Sequence, residues 1–99
     1  MSREAYVIIK QNEYMKKFRN AGATEPSKAR PLADLKIKPD RIFGKMESKA
    51  IFLQGRTPGT FYMDPNAAEE FVEARRRRTF YLLLLALIAA AIIFLIGRR

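Results

Sequence analysis

The chain of 99 residues contains no cysteine and no histidine. Their absence excludes disulfides, thiol nucleophiles, His-based catalytic triads and Cys/His zinc sites. The lack of cysteine fits a reducing compartment. No Gly-rich phosphate loop precedes a predicted helix, and Asp34, Asp40, Glu47 and Asp64 form no recognisable pair of carboxylates. Neither an enzyme nor a cofactor is expected. Nothing at the N-terminus has the pattern of a signal peptide.

What the sequence does contain is a long uncharged run. Residues 79–97 hold nineteen residues without a charge, twelve of them Leu, Ile or Phe. As an α-helix the run is roughly 28 Å long, close to the hydrocarbon thickness of a bilayer. A soluble chain this short has no core able to surround a helix that is apolar on every side. A membrane span is therefore expected. Arg75, Arg76, Arg77 and Arg78 precede it, and Arg98 and Arg99 follow it, all placed to snorkel toward headgroups. Phe80 and Tyr81 fall at the interface level favoured by aromatic rings. With two residues after the run, the chain reads as tail-anchored. Four arginines before it against two after place the N-terminal side in the cytoplasm. Within the span, Ala86, Ala90 and Gly97 share one side and permit close helix contact, which allows a homodimer through the span.

The formal charge of +9 is mostly anchor chemistry. Six of the nineteen basic residues flank the span, so residues 1–74 carry 13 basic against 10 acidic side chains. Within that part, residues 1–63 hold 13 bases and 6 acids, whereas residues 64–74 hold Asp64, Glu69, Glu70 and Glu73 and no base. Basicity alone is no argument for nucleic acid here.

Residues 2–21 read as a helix capped by Ser2, with Glu4 in the first turn. Val7, Tyr14, Phe18 and Ala21 form its apolar stripe, which Ile8 and Met15 broaden, and Asn20-Ala21-Gly22 ends it. A strand over residues 6–9 is the rival reading. After a connection containing Pro26, Pro31 opens a short helix over residues 31–35. A turn at Lys36-Ile37-Lys38 leads to a further helix over residues 40–49, with Ile42, Phe43 and Met46 inward. Residues 50–54 and 60–63 are β-prone and enclose Gly55-Arg56-Thr57-Pro58-Gly59, a hairpin signal. Asp64 and Pro65 then cap and open a last helix, and no Gly or Pro interrupts the path into the span. The predicted core is Val7, Phe18, Leu35, Ile42, Met46, Ile51, Leu53 and Phe61.

Residues 32–46 resemble a helix-turn-helix, and the hairpin after them resembles the wing of a winged-helix domain. In that family the turn reads Leu-Gly-Val/Ile; Leu35-Lys36-Ile37 matches it except that Lys36 stands at the glycine. The resemblance covers roughly residues 5–64 and implies an α+β, mostly helical fold of three helices plus a hairpin. The expected organisation is a winged-helix-like cytoplasmic domain over residues 1–64 and a basic juxtamembrane helix over 65–78. The span over 79–97 and a tail of residues 98–99 complete it.

By the resemblance, the third helix exposes Asp40, Arg41, Gly44, Lys45, Ser48 and Lys49. Lys38 precedes that helix, and Arg56 lies on the wing tip. Arg41, Lys45 and Lys49 at i, i+4 and i+8 put three cations on one face, able to meet phosphates or guanine edges. A solvated face, or attraction to an anionic leaflet, explains the same residues. Phe52, Phe61 and Tyr62 read as hairpin packing or as a base-stacking platform. Two functions follow from the resemblance. One is an adaptor or accessory subunit at the cytoplasmic face, with the bilayer and a protein partner, itself membrane-bound, as its contacts. The other is a membrane-tethered, transcription-regulator-like protein binding DNA through Lys38, Arg41, Lys45, Lys49 and Arg56.

Overall fold

A computed structural model describes residues 2–98. Ser2 begins the first helix, α1 (Arg3–Ala21), by accepting the Ala5 amide at 3.2 Å. A single 3-10 turn at Pro26–Lys28 leads into strand β1 (Arg30–Pro31). Helix α2 (Arg41–Ser48) is capped by Asp40, and strands β2 (Phe52–Gln54) and β3 (Thr60–Met63) form the hairpin. Helix α3 (Pro65–Gly97) is continuous over 33 residues, as the lack of helix breakers predicts. The architecture is α+β, with a small antiparallel sheet in the order β1-β3-β2.

The helix expected over residues 31–35 is absent. Arg30 and Pro31 instead pair with Phe61 and Thr60 of β3, and residues 32–36 form consecutive hydrogen-bonded turns. Pro31 lacks an amide, and the four residues after it are too few to offset helix nucleation. Leu35 N–H reaches Pro31 O at 3.4 Å, but Lys36 then turns left-handed at φ 56° and stops the coil.

That turn is one of three built alike. Gly22, Lys36 and Ala50 have φ values of 72°, 56° and 59°. Each is followed by an apolar residue whose amide reaches back five positions: Ala23 to Phe18 O (3.0 Å), Ile37 to Leu32 O (3.0 Å) and Ile51 to Met46 O (3.1 Å). This is the 6→1 bond of the Schellman ending, with the next residue tucked into the core. Ala23, Ile37 and Ile51 are all buried. Three chain reversals thus aim three apolar residues inward.

The core is aromatic. Phe52 stacks on Phe18 at 4.6 Å and on Phe43 at 4.9 Å, both nearly parallel. Phe43 also meets the edges of Tyr14 and Phe61, each at 5.9 Å. Phe18, Leu35, Met46 and Ile51 are buried as predicted, joined by Tyr14, Met15, Ile37, Phe43, Phe52 and Met63. Val7, Ile42, Leu53 and Phe61 are only partly covered. Burial of α1 is confined to Tyr14, Met15 and Phe18, which leaves Val7 beyond it. Phe43 and Met46 occupy the inward side of α2 and displace Ile42 to the margin. Strand alternation sends Phe52 and Met63 inward as a cross-strand pair, so the next pair, Leu53 and Tyr62, lies on the other face of the sheet.

Backbone contacts divide the chain into two units, one ending at Ala68 and one beginning at Glu69. In the first, Asp64 Oδ1 accepts the Asn66 amide at 2.9 Å, and Ala68 is buried. In the second, every residue over 76–98 is exposed, and the helix is long and apolar enough to cross a bilayer.

Candidate interaction face

Asp40 is exposed, as expected, and its carboxylate serves α2 itself. Its Oδ1 accepts the Phe43 amide at 2.9 Å, and its Oδ2 accepts the Tyr14 hydroxyl at 2.8 Å. Burial pushes this carboxyl up, but the Phe43 amide, the Tyr14 hydroxyl, nearby Lys10 and the Ile42 amide together hold it below the usual carboxylate value. Burial first, then the bond to Asp40, pushes the Tyr14 phenol up. One carboxylate therefore caps α2 and fastens it to α1.

With Asp40 occupied, the outward side of α2 presents Arg41, Gly44, Lys45 and Ser48, followed by Lys49 at its C-cap, all exposed. Ser48 Oγ donates to Lys45 O at 2.7 Å. Gly44 has open space where a Cβ would stand, so the helix backbone lies bare between two cations. Arg56 is exposed in the β2–β3 loop.

Lys38 belongs to a different neighbourhood. It lines an open hollow with Lys10, Glu13, Tyr14, Lys17, Lys36, Pro39 and Asp40. Lys17 Nζ donates to Lys36 O at 2.8 Å and pairs with Glu13 at 3.3 Å, while Lys10 lies 3.9 Å from Glu13. Lys10 and Lys17 sit seven residues apart on one side of α1, a spacing visible in the sequence, but their meeting with Lys36 and Lys38 depends on the left-handed turn. Two carboxylates share the hollow, so its positive charge is partly neutralised. Phe52 is a core residue, Phe61 packs edge-on against Phe43, and Tyr62 is half-buried on the outer sheet face. Phe52 therefore offers no face to a base.

In the second unit, the Arg75 guanidinium lies 5.6 Å from the centre of the Phe71 ring, and Thr79 Oγ1 donates to Arg75 O at 3.1 Å. Burial and neighbouring Arg76 lower the Arg75 pKa. Arg76, Arg77, Arg78 and Arg98 are exposed, as are Ala86, Ala90 and Gly97; Arg99 lies outside the described residues. Among the described residues no group of three His, Cys, Asp or Glu side chains could hold a metal ion. No protein-family model matches the chain, and no curated protein or solved structure matches it either.

Proposed function

We propose that the chain is a single-pass membrane protein presenting a winged-helix-like interaction module at the cytoplasmic face, an adaptor or accessory subunit for a partner that itself lies in the membrane. The carrying observation is α3. Thirteen large apolar side chains from Phe80 to Ile96 are exposed. At about 1.5–3 kcal/mol each, leaving them in water costs roughly 20–40 kcal/mol, more than the ~5–15 kcal/mol by which a domain is stable. A bilayer covers all sides of such a helix at once. The winged-helix likeness is supported by the order α1, β1, turn, α2, β2, β3, with β1 paired to β3. It is supported further by the left-handed φ of Lys36, where the family's turn carries glycine. The orientation rests on four arginines before residues 79–97 against two after.

The exposed side of α2, with its bare backbone at Gly44, is the docking surface this reading favours. Arg41, Lys45 and Lys49 also support the alternative, a DNA contact. Ten residues, 69–78, join the first unit to the span. An anionic leaflet repels duplex DNA that comes within a few screening lengths of it, ~8 Å each at physiological salt. A membrane-resident partner meets no such repulsion.

Two measurements test the proposal. Protease added outside intact cells should spare residues 1–74, and their digestion would refute the orientation. The full chain in neutral-lipid nanodiscs should not shift random duplex DNA at low salt. Salt-sensitive binding that disappears in Arg41→Ala/Lys45→Ala would replace the adaptor reading with the DNA reading.

A further inference from the structure

Residues 75–78 lie inside α3, where successive side chains step round the axis by ~100°. Four arginines in a row therefore reach every side of the helix. This arrangement differs from the stripe on α2, where Arg41 and Lys45 share one face. Arg76, Arg77 and Arg78 are exposed. Glu73 stands at i+3 and i+4 spacing from Arg76 and Arg77, yet it forms no ion pair with either of them, unlike Glu13 with Lys10 and Lys17. Among the described residues, no carboxylate pairs with Arg76, Arg77 or Arg78.

The kind of base matters as much as the number. Residues 1–74 use eight lysines and five arginines, whereas all six bases flanking residues 79–97 are arginine. Lysine snorkels and satisfies the positive-inside bias as well as arginine does. What it lacks is the planar fork that donates two parallel hydrogen bonds to one phosphate. Phe80 and Tyr81 follow the arginines after Thr79, their rings 6.1 Å apart, and aromatic rings at that place hold a helix at headgroup depth.

Resting on the membrane reading of residues 79–97, we propose that Arg75, Arg76, Arg77 and Arg78 form a collar that binds the phosphates of acidic phospholipids and gathers those lipids around the helix. Lipid is the occupant because the collar has no single face. A protein or a soluble phosphate meets one side of a helix, whereas a bilayer supplies headgroups all round it. Acidic lipids are favoured over zwitterionic ones because adjacent cations repel each other, and net-negative headgroups neutralise that charge where zwitterionic ones do not. The collar also opposes a parallel dimer through Ala86, Ala90 and Gly97, since two helices in close contact would bring eight guanidiniums together.

The test reconstitutes the full chain into vesicles of phosphatidylcholine alone and of phosphatidylcholine with a minor share of phosphatidylglycerol. Flotation and alkaline extraction report insertion. Lipids that remain with the protein after excision in polymer-bounded discs report the annulus. The chain should insert in both vesicles, and its annulus should be enriched in phosphatidylglycerol, on the order of fivefold over bulk. Millimolar inorganic phosphate should leave the enrichment intact. Replacing the four arginines together by lysine should reduce it, and replacing them by glutamine should abolish it, with insertion unchanged. Insertion with an annulus of bulk composition overturns the collar. Lysine equal to arginine overturns the phosphate-fork argument, and loss to inorganic phosphate makes the site one for soluble anions. Failure to insert in either vesicle refutes the membrane reading instead, so the two failures are distinct.

Discussion

The three left-handed helix and turn endings allow a prediction in which one motif gives opposite signs. Gly22, Lys36 and Ala50 share the conformation and the 6→1 hydrogen bond that follows it. In that conformation an L-residue costs about 1–2 kcal/mol through its Cβ. Glycine avoids that cost but gives back about 0.5–1 kcal/mol through the greater freedom of the unfolded chain. The net is ~0.5–1 kcal/mol in favour of glycine. Lys36 and Ala50 are exposed, and the bond from Lys17 Nζ goes to the Lys36 carbonyl rather than its side chain. Neither replacement removes a packed group. Lys36→Gly and Ala50→Gly should therefore each raise the melting temperature by about 3–6 °C. Gly22→Ala, which also has open space for its Cβ, should lower it by a similar amount. The assay is thermal unfolding of the detergent-solubilised full chain, followed by near-ultraviolet circular dichroism of the packed aromatic side chains, Tyr14 above all. If Gly22→Ala and Ala50→Gly move the midpoint in the same direction, the shared ending is not what sets these three reversals.

Asp40→Ala should destabilise the first unit by about 1–3 kcal/mol, from the lost cap and the stranded Tyr14 hydroxyl. Because the folded state holds the Asp40 carboxyl below its ordinary value of 3.8, its contribution is complete above that pH and is lost as pH falls through the folded-state pKa. Asp40→Asn should flatten this acid limb of stability, and an unchanged limb would show that other carboxylates produce it. Gly55→Ala should cost about 1–3 kcal/mol, because a Cβ there collides with the Ala29 side chain and with Thr60 Oγ1; an unaltered urea midpoint would mean that the loop yields freely.

Elements with local causes were legible in the sequence. Ser2 and Gly22 bound α1, five Gly- and Pro-rich residues close the hairpin, and Pro65 opens α3, all as the residue types predict. What could not be read depends on distant partners. Strand β1 is two residues long and exists because β3, some thirty positions later, supplies its hydrogen bonds. The same non-locality hid the Tyr14–Asp40 bond, which spans 26 positions. Asp40 is exposed, as read from the sequence, but its carboxylate is engaged by Tyr14 and by the Phe43 amide. The outward side of α2 otherwise carries Arg41, Gly44, Lys45, Ser48 and Lys49, all exposed as read. Lys38 went the other way, since the left-handed turn at Lys36 carries it toward the lysines of α1.

The core contains Met15, Met46 and Met63, each at most 4 % exposed, in a chain without a thiol. With no cysteine to intercept an oxidant, damage to the buried core falls on these three thioethers, and each is shielded while the fold is intact. Sulfoxide formation puts a polar group where Met63 pairs with Phe52 and where Met46 closes α2, so an oxidised chain cannot repack. Oxidation then follows opening instead of causing it, and a momentary unfolding under peroxide becomes permanent until a reductase restores the sulfur. The extent of sulfoxide at these three positions would serve as a cumulative record of how often the domain has opened.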